Sequence, residues 1–216
     1  CVHKGLPLPG SNVDYVHPRD IRKAALDHPD LTFVVYHSGF KAANYELPPG
    51  DAFVGPDGYL AWTTDLCRDR IANPKMTNVY AELGTTFGHT VITHPNICGH
   101  LLGQLVNAFG VDHILFGTDS IWWGSPQWQI EAFRRFQPLE ALQEKFGYKP
   151  LSDEDKAKIL GLNAARVFGI DAGAARKALP ADGISRLKAQ YRDEGGRPSN
   201  TQYGWVWNGD AEKVKT

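Results

Sequence analysis

The stretch Leu31-Thr-Phe-Val-Val-Tyr-His-Ser-Gly39 decides how the rest of the chain is read. Leu31 to Tyr36 is an unbroken run of apolar and β-branched residues, the pattern of a strand buried on both faces of a parallel sheet. It ends in an imidazole and a glycine. Two further apolar segments end in a comparable way. Cys1-Val2 runs into His3-Lys4-Gly5, and His113-Ile-Leu-Phe116 runs into Gly117-Thr118-Asp119. Asn78-Val-Tyr-Ala-Glu-Leu83, closed by Gly84, is a fourth strand with Glu82 near its end. Helical patterns lie between them. Pro18 opens one that runs to Leu26, and Asp65 to Ile71 forms a short one that stops before Asn73-Pro74. Ile97, Leu101, Leu105 and Phe109 fall four apart in a third, which Pro95 opens and Gly110 ends. Strands alternating with helices give βα units around a parallel sheet, so the fold class is α/β.

Beyond Asp119 the pattern turns helical. Ser125-Pro126 starts a helix that reaches Gln137, Leu139, Leu142 and Phe146 mark a second, and Ser152 with Asp155 forms the capping box of a third that ends at Gly169. Ile184, Leu187 and Tyr191 mark one more after Pro180, and the polar tail from Gly195 reads as extended. Residues 41 to 61 are rich in proline and glycine and read as a long loop, of a length that is often functional. The expected organisation is one domain over residues 1–170, followed by a helical extension and polar tail over 171–216.

Composition narrows the function. The 216 residues carry 23 basic and 24 acidic side chains, a formal net charge of -1. That balance lacks the basic excess a nucleic-acid binder uses to displace counterions. No apolar run reaches the roughly 18 residues of a membrane span, so no membrane partner is expected. The three cysteines make neither a disulfide framework nor a zinc-type pair, and Cys1, Cys67 and Cys98 read as ordinary thiols. No Gly-x-Ser-x-Gly elbow supports a metal-free α/β hydrolase. The sequence opens on Cys1 within what reads as a strand, and its only methionine is Met76. A targeting signal is therefore not assessable, and the cytoplasm is only the default expectation.

In parallel α/β folds the site sits at the carboxyl ends of the strands, where the loops converge. His37 and Asp119 hold that position. Imidazole and carboxylate are the usual ligands of a catalytic divalent ion, and an Asp beside such an ion can take a proton. Taken singly, His37 also suits a hydrogen-bonded structural role and Asp119 a helix cap. Glu82 is a weaker fourth strand-end group and reads as structural. His94, between Thr93 and Pro95, is the first choice among the remaining histidines for a general acid or base. His3, Lys4, Trp122 and Trp123 are the candidates to wall a substrate pocket, although the two tryptophans equally suit packing against the later helices.

Three segments together resemble a known family: Val34-Val-Tyr-His-Ser-Gly39, Ile114-Leu-Phe-Gly-Thr-Asp119 and Ile159-Leu-Gly-Leu-Asn-Ala-Ala-Arg-Val-Phe-Gly169. They resemble the C-terminal half of amidohydrolase-related proteins, in the branch of aminocarboxymuconate-semialdehyde decarboxylase, resorcylate decarboxylases and related lactone hydrolases. The likeness runs from about residue 1 to residue 170. It implies a (β/α)8 TIM-barrel-like fold with a divalent ion, zinc first, at its mouth. In that family a ligand histidine ends the fifth strand, matched here to His37, and an aspartate ends the last strand as ligand and proton acceptor, matched to Asp119. A further histidine follows a later strand, for which His94 is the loose match. The family's first-strand His-x-His or Glu-x-His pair has no counterpart before His37. The expectation is therefore a partial barrel, strands four to eight, lacking the first strands and ending in extension helices. It would be a metal-dependent hydrolase acting through metal-activated water on a small carboxylated or aromatic compound. The alternatives are a non-oxidative decarboxylase of the same family and a non-catalytic barrel fragment that binds another chain. A homo-oligomer is compatible with either.

Overall fold

The computed structural model describes residues 1–7, 10, 12–41, 47 and 53–196. The polar tail beyond residue 196 and, within the proline-rich loop, residues 42–46 and 48–52 lie outside the described residues. Four strands form one sheet: β1 (Val2–His3), β2 (Phe33–Tyr36), β3 (Val79–Glu82) and β4 (Ile114–Leu115). All three pairings are parallel, and spatial order follows chain order. That sequential all-parallel order is the wall of a (β/α)8 barrel; a doubly wound sheet reverses its order partway. Four strands are half the eight of a closed barrel.

Register fixes what each face carries. Val2, Val35, Ala81 and Ile114 pair across all four strands in a single row. Val35, Ala81 and Ile114 are fully buried, and with Val79 they form the sheet's contribution to the core. One residue further along, His3 pairs with Tyr36 and Glu82 with Leu115. Side chains alternate along a strand, so this second row faces the opposite side. One face of the sheet is thus sealed by helices, and the other carries polar groups toward the strand ends.

The covering helices are α3 (Thr63–Ala72) and α5 (Pro95–Phe109), which pack on one another, α5 also meeting β3 and β4. The predicted stripe of α5 is its buried face: Ile97, Leu101 and Leu105 are fully buried and Phe109 nearly so. Earlier in the chain come α1 (Val13–Val16) and α2 (Ile21–Asp27), with a 3-10 turn at Pro18–Asp20 before α2. Next to the strand ends lie α4 (Thr86–Thr90) and α6 (Ser120–Trp123). Then follow α7 (Pro126–Arg135), α8 (Glu140–Phe146) and α9 (Asp153–Ala157), the last with the expected Ser152–Asp155 capping box. A π-turn at Lys158–Leu162 joins α9 to α10 (Asn163–Val167). Within it the Ile159 carbonyl accepts the Phe116 N–H at 3.0 Å, beyond the paired part of β4. The helices missed from sequence, α1, α4 and α6, span four or five residues and cannot display two turns of apolar period.

The chain divides into two compact units, Cys1–Gly169 and Ile170–Thr216. The second contains α11 (Ala172–Ala178), which the sequence reading also missed, and α12 (Gly183–Asp193).

The sheet corrects one expectation. Five strands, numbered four to eight, were expected, and β2 was matched to the fifth. The chain forms four among the described residues, and β2 pairs directly with β3. If the strand ending in Asp119 is the last of eight, counting back makes β1 the fifth strand and β2 the sixth.

Candidate active site

Three strand ends meet where the loops leave the sheet. After β2 the chain turns through three consecutive left-handed residues, His37 (φ 60°), Ser38 (φ 50°) and Gly39 (φ 67°). After β3, Thr85 has φ 60°, and after β4, Asp119 has φ 49°. A β-branched residue such as Thr85 rarely adopts a positive φ, and such conformations cluster where a site needs particular side-chain directions.

Hydrogen bonds hold these turns. The Ser38 hydroxyl donates to the Glu82 carbonyl at 2.8 Å, and the His37 imidazole Nδ1 lies 2.8 Å from the Gly84 carbonyl. A carbonyl can only accept, so Nδ1 carries the proton and Nε2 keeps its lone pair. Burial, the dominant influence, lowers the pKa of His37; the bond to Gly84 and the nearby Asp119 work against it, while His3 adds to it. The ring is therefore neutral at neutral pH, the state a metal ligand requires. Asp119 Oδ2 lies 3.9 Å from His37 Nδ1 and accepts the hydroxyl of Thr85, which in turn accepts Trp123 Nε1 at 3.2 Å. The His3 ring stands edge-on to His37 with centroids 4.7 Å apart.

Glu82 sits between these groups. Its carboxylate accepts the backbone N–H of His37 at 3.3 Å and that of Gly84 at 2.7 Å. Burial raises its pKa to about 7, Asp119 adding to the rise and the two N–H bonds opposing it. A cavity of about 300 Å³ opens here, with Tyr36, His37, Glu82, Phe116, Asp119 and Phe168 among its walls. Polar groups converge from three strands, and aromatic and aliphatic side chains, among them Val34 and Leu115, line the rest.

The structure thus brings together His3, His37 and Asp119, with Trp123 tied in through Thr85. Asp119 precedes α6, but its side chain makes no cap bond, so its carboxylate is left to the site. Lys4 stands apart: its buried ammonium binds Asp20 at 2.7 Å and the Tyr15 carbonyl at 2.8 Å. His94 is not among the cavity-lining residues; its Nδ1 lies 2.9 Å from the Thr93 hydroxyl. Trp122 is 73 % exposed and is likewise no part of the cavity wall. His100 is buried, with Nδ1 3.0 Å from the Tyr148 hydroxyl. Sequence reasoning undervalued Glu82 and missed Thr85. The signal available for Glu82 was its alternation: with Val79 and Ala81 facing the core, Glu82 had to face the other side.

A parallel α/β sheet with two imidazoles and a carboxylate gathered at its carboxyl end defines a barrel-type protein with a polar mouth. The family model described as Amidohydrolase matches residues 2–170, and the chain belongs to that family. Among solved structures it is similar to a zinc-bound amidohydrolase of Burkholderia multivorans (18 % identity over 72 % of this chain and 51 % of that one, TM-score 0.48). It is also similar to an uncharacterised TIM-barrel protein of Bordetella bronchiseptica (21 %, 78 % and 44 %, TM-score 0.44). A third is the 2,6-dihydroxybenzoate decarboxylase of a Rhizobium (19 %, 77 % and 50 %, TM-score 0.35). The chain spans about half the length of the solved structures it matches. No curated protein matches it.

The donors suit a divalent ion chemically: imidazoles and a carboxylate, with the His37 tautomer fixed by its carbonyl partner. Among the described residues no three His, Cys, Asp or Glu side chains already surround one point closely enough to hold an ion. His3 ends β1, His37 follows β2 and Asp119 follows β4, so the three donors stand on three different strands.

Proposed function

We propose that the protein is a metal-dependent hydrolase of small carboxylated or aromatic compounds, with His3, His37 and Asp119 as its contribution to the ion's ligands. The observation that carries this reading is the meeting of these three side chains at the ends of three of the four parallel strands, beside an aromatic-lined cavity. A divalent ion there would acidify a water and polarise a substrate oxygen. His37 presents its Nε2 lone pair because Gly84 holds the other nitrogen. Asp119, oriented by Thr85, takes up the proton from the attacking water and returns it to the leaving group. Tyr36 and Phe168 exclude water and stack against a ring.

The aromatic walls also favour a second reading, non-oxidative decarboxylation of an aromatic acid at the same residues. Elemental analysis of the purified protein tests the shared part: a stoichiometric divalent ion is expected, lost in His37→Ala and in Asp119→Ala. Unchanged metal content in both variants would sink the proposal, and a protein that binds no ion would point to a non-catalytic barrel module. Carbon dioxide release from aromatic acids, set against cleavage of lactones and amides, separates the two chemistries.

A further inference from the structure

We propose that Glu82 is a positioning residue for the His37–Asp119 pair, and that Gly84 and Gly117 are glycines because its carboxylate occupies the space their side chains would take. The inference rests on the metal-site reading above. The carboxylate gathers one N–H from each of two neighbouring strand ends, His37 after β2 and Gly84 after β3. Those two residues are also joined directly, through the His37 imidazole and the Gly84 carbonyl. A single acid thus anchors both the left-handed turn that carries the imidazole and the carbonyl that orients it.

The third strand end is reached through shape. A Cβ on Gly117 would lie 1.6 Å from Glu82 Oε1, and one on Gly84 would lie 2.6 Å from it. Real Cβ atoms do not approach so closely, and the carboxylate is pinned by its two bonds. Neither glycine has a positive φ, so backbone conformation does not explain them. Gly117 leads through Thr118 into Asp119, so the carboxylate's fit against it sets where the loop carrying Asp119 begins. Glu82 therefore acts on both members of the pair without needing to touch the ion or the substrate.

The experiment is a mutant cycle read by zinc affinity in chelator competition, by the cobalt absorption spectrum and by melting temperature. The variants are Glu82→Ala, Glu82→Gln, Gly117→Ala and the double variant Glu82→Ala with Gly117→Ala. Glu82→Ala should weaken the ion by about 10–100-fold, the range for residues behind metal ligands, and should change the cobalt spectrum. Glu82→Gln keeps one acceptor for two N–H groups and should fall between. Gly117→Ala should be damaging, or fail to fold, in the native background and add almost nothing when Glu82 is alanine. Two results overturn the proposal: Glu82 variants with native affinity and spectrum, or a Gly117→Ala penalty equal in both backgrounds. If the native protein binds no ion, the metal reading fails, and the melting temperatures still decide the coupling of Glu82 to Gly117.

Discussion

The two ends of the sheet solve their polar accounts differently. At the amino end, neutral amides close the strands off. Asn78 Nδ2 shares its two hydrogens among the carbonyls of Ala25, His28 and Leu31, and buried Asn163 donates to Val111 at 2.7 Å and Ile114 at 2.9 Å. His113 Nε2 lies 3.0 Å from the Thr77 carbonyl. At the carboxyl end the groups are titratable, and four non-glycine residues, His37, Ser38, Thr85 and Asp119, hold left-handed conformations. Conformations of that kind cost of order 1–3 kcal/mol each. The amino end is closed by side chains that bind backbone carbonyls, and the carboxyl end holds particular groups in particular directions. Barrel enzymes divide stability and chemistry between these same ends.

The comparison breaks most easily at Asn163. Asn163→Ala takes a donor from two carbonyls, of which Val111 keeps the Ile114 N–H, and should cost about 2–3 kcal/mol in urea unfolding. The metal bound per folded molecule should not change. A loss of ion in this variant would mean that the two ends are not separate in function.

A smaller effect sharpens the other end. In the folded chain Glu82 holds its proton to about 7, against an ordinary value of 4.5. Between those values the unfolded chain has released a proton that the folded chain keeps. The contribution of Glu82 to stability therefore falls as pH rises through the window and levels off above about 7. The mostly buried carboxyl should give a drift of about 1–2 kcal/mol, which Glu82→Gln abolishes. His37, whose pKa is lowered, contributes the opposite slope in both proteins and cancels from the difference. Urea midpoints of the ion-free proteins across the window check this, and parallel curves would refute it.

The smallest expected effect is at Trp122. Because it is 73 % exposed, Trp122→Ala should change stability by no more than about 0.5 kcal/mol. Because the ring is no part of the cavity wall, KM and kcat should stay unchanged, and a raised KM would bring Trp122 into the site.

Much of this was legible in the residues. The apolar runs named all four strands, and the spacing of Ile97, Leu101, Leu105 and Phe109 named the helix that seals them. His37 and Asp119 were readable because strand-end position is a local property. Lys4 was misplaced for a reason the sequence contains: it follows His3 in extended chain, and consecutive side chains there point opposite ways. Glu82 and Thr85 were harder. The partners of Glu82 are backbone N–H groups, one of them 45 positions away in the chain, and no residue pattern announces a backbone donor. The strand count failed because a resemblance matches motifs, whereas only pairing shows how many strands lie between them.

The π-turn at Lys158–Leu162 has a consequence for the loop that carries Asp119. Through the Ile159 carbonyl, this helical turn takes the first N–H of the chain beyond paired β4, that of Phe116. The helix acts as a stop on a ruler: it holds Phe116, the residue just before Gly117-Thr118-Asp119 begins to bend, while the Glu82 carboxylate fits against Gly117 itself. Helical phase far downstream thus contributes to the reach of a mouth carboxylate. A single residue gained or lost within 158–162 would move that stop, and with it the direction in which Asp119 points.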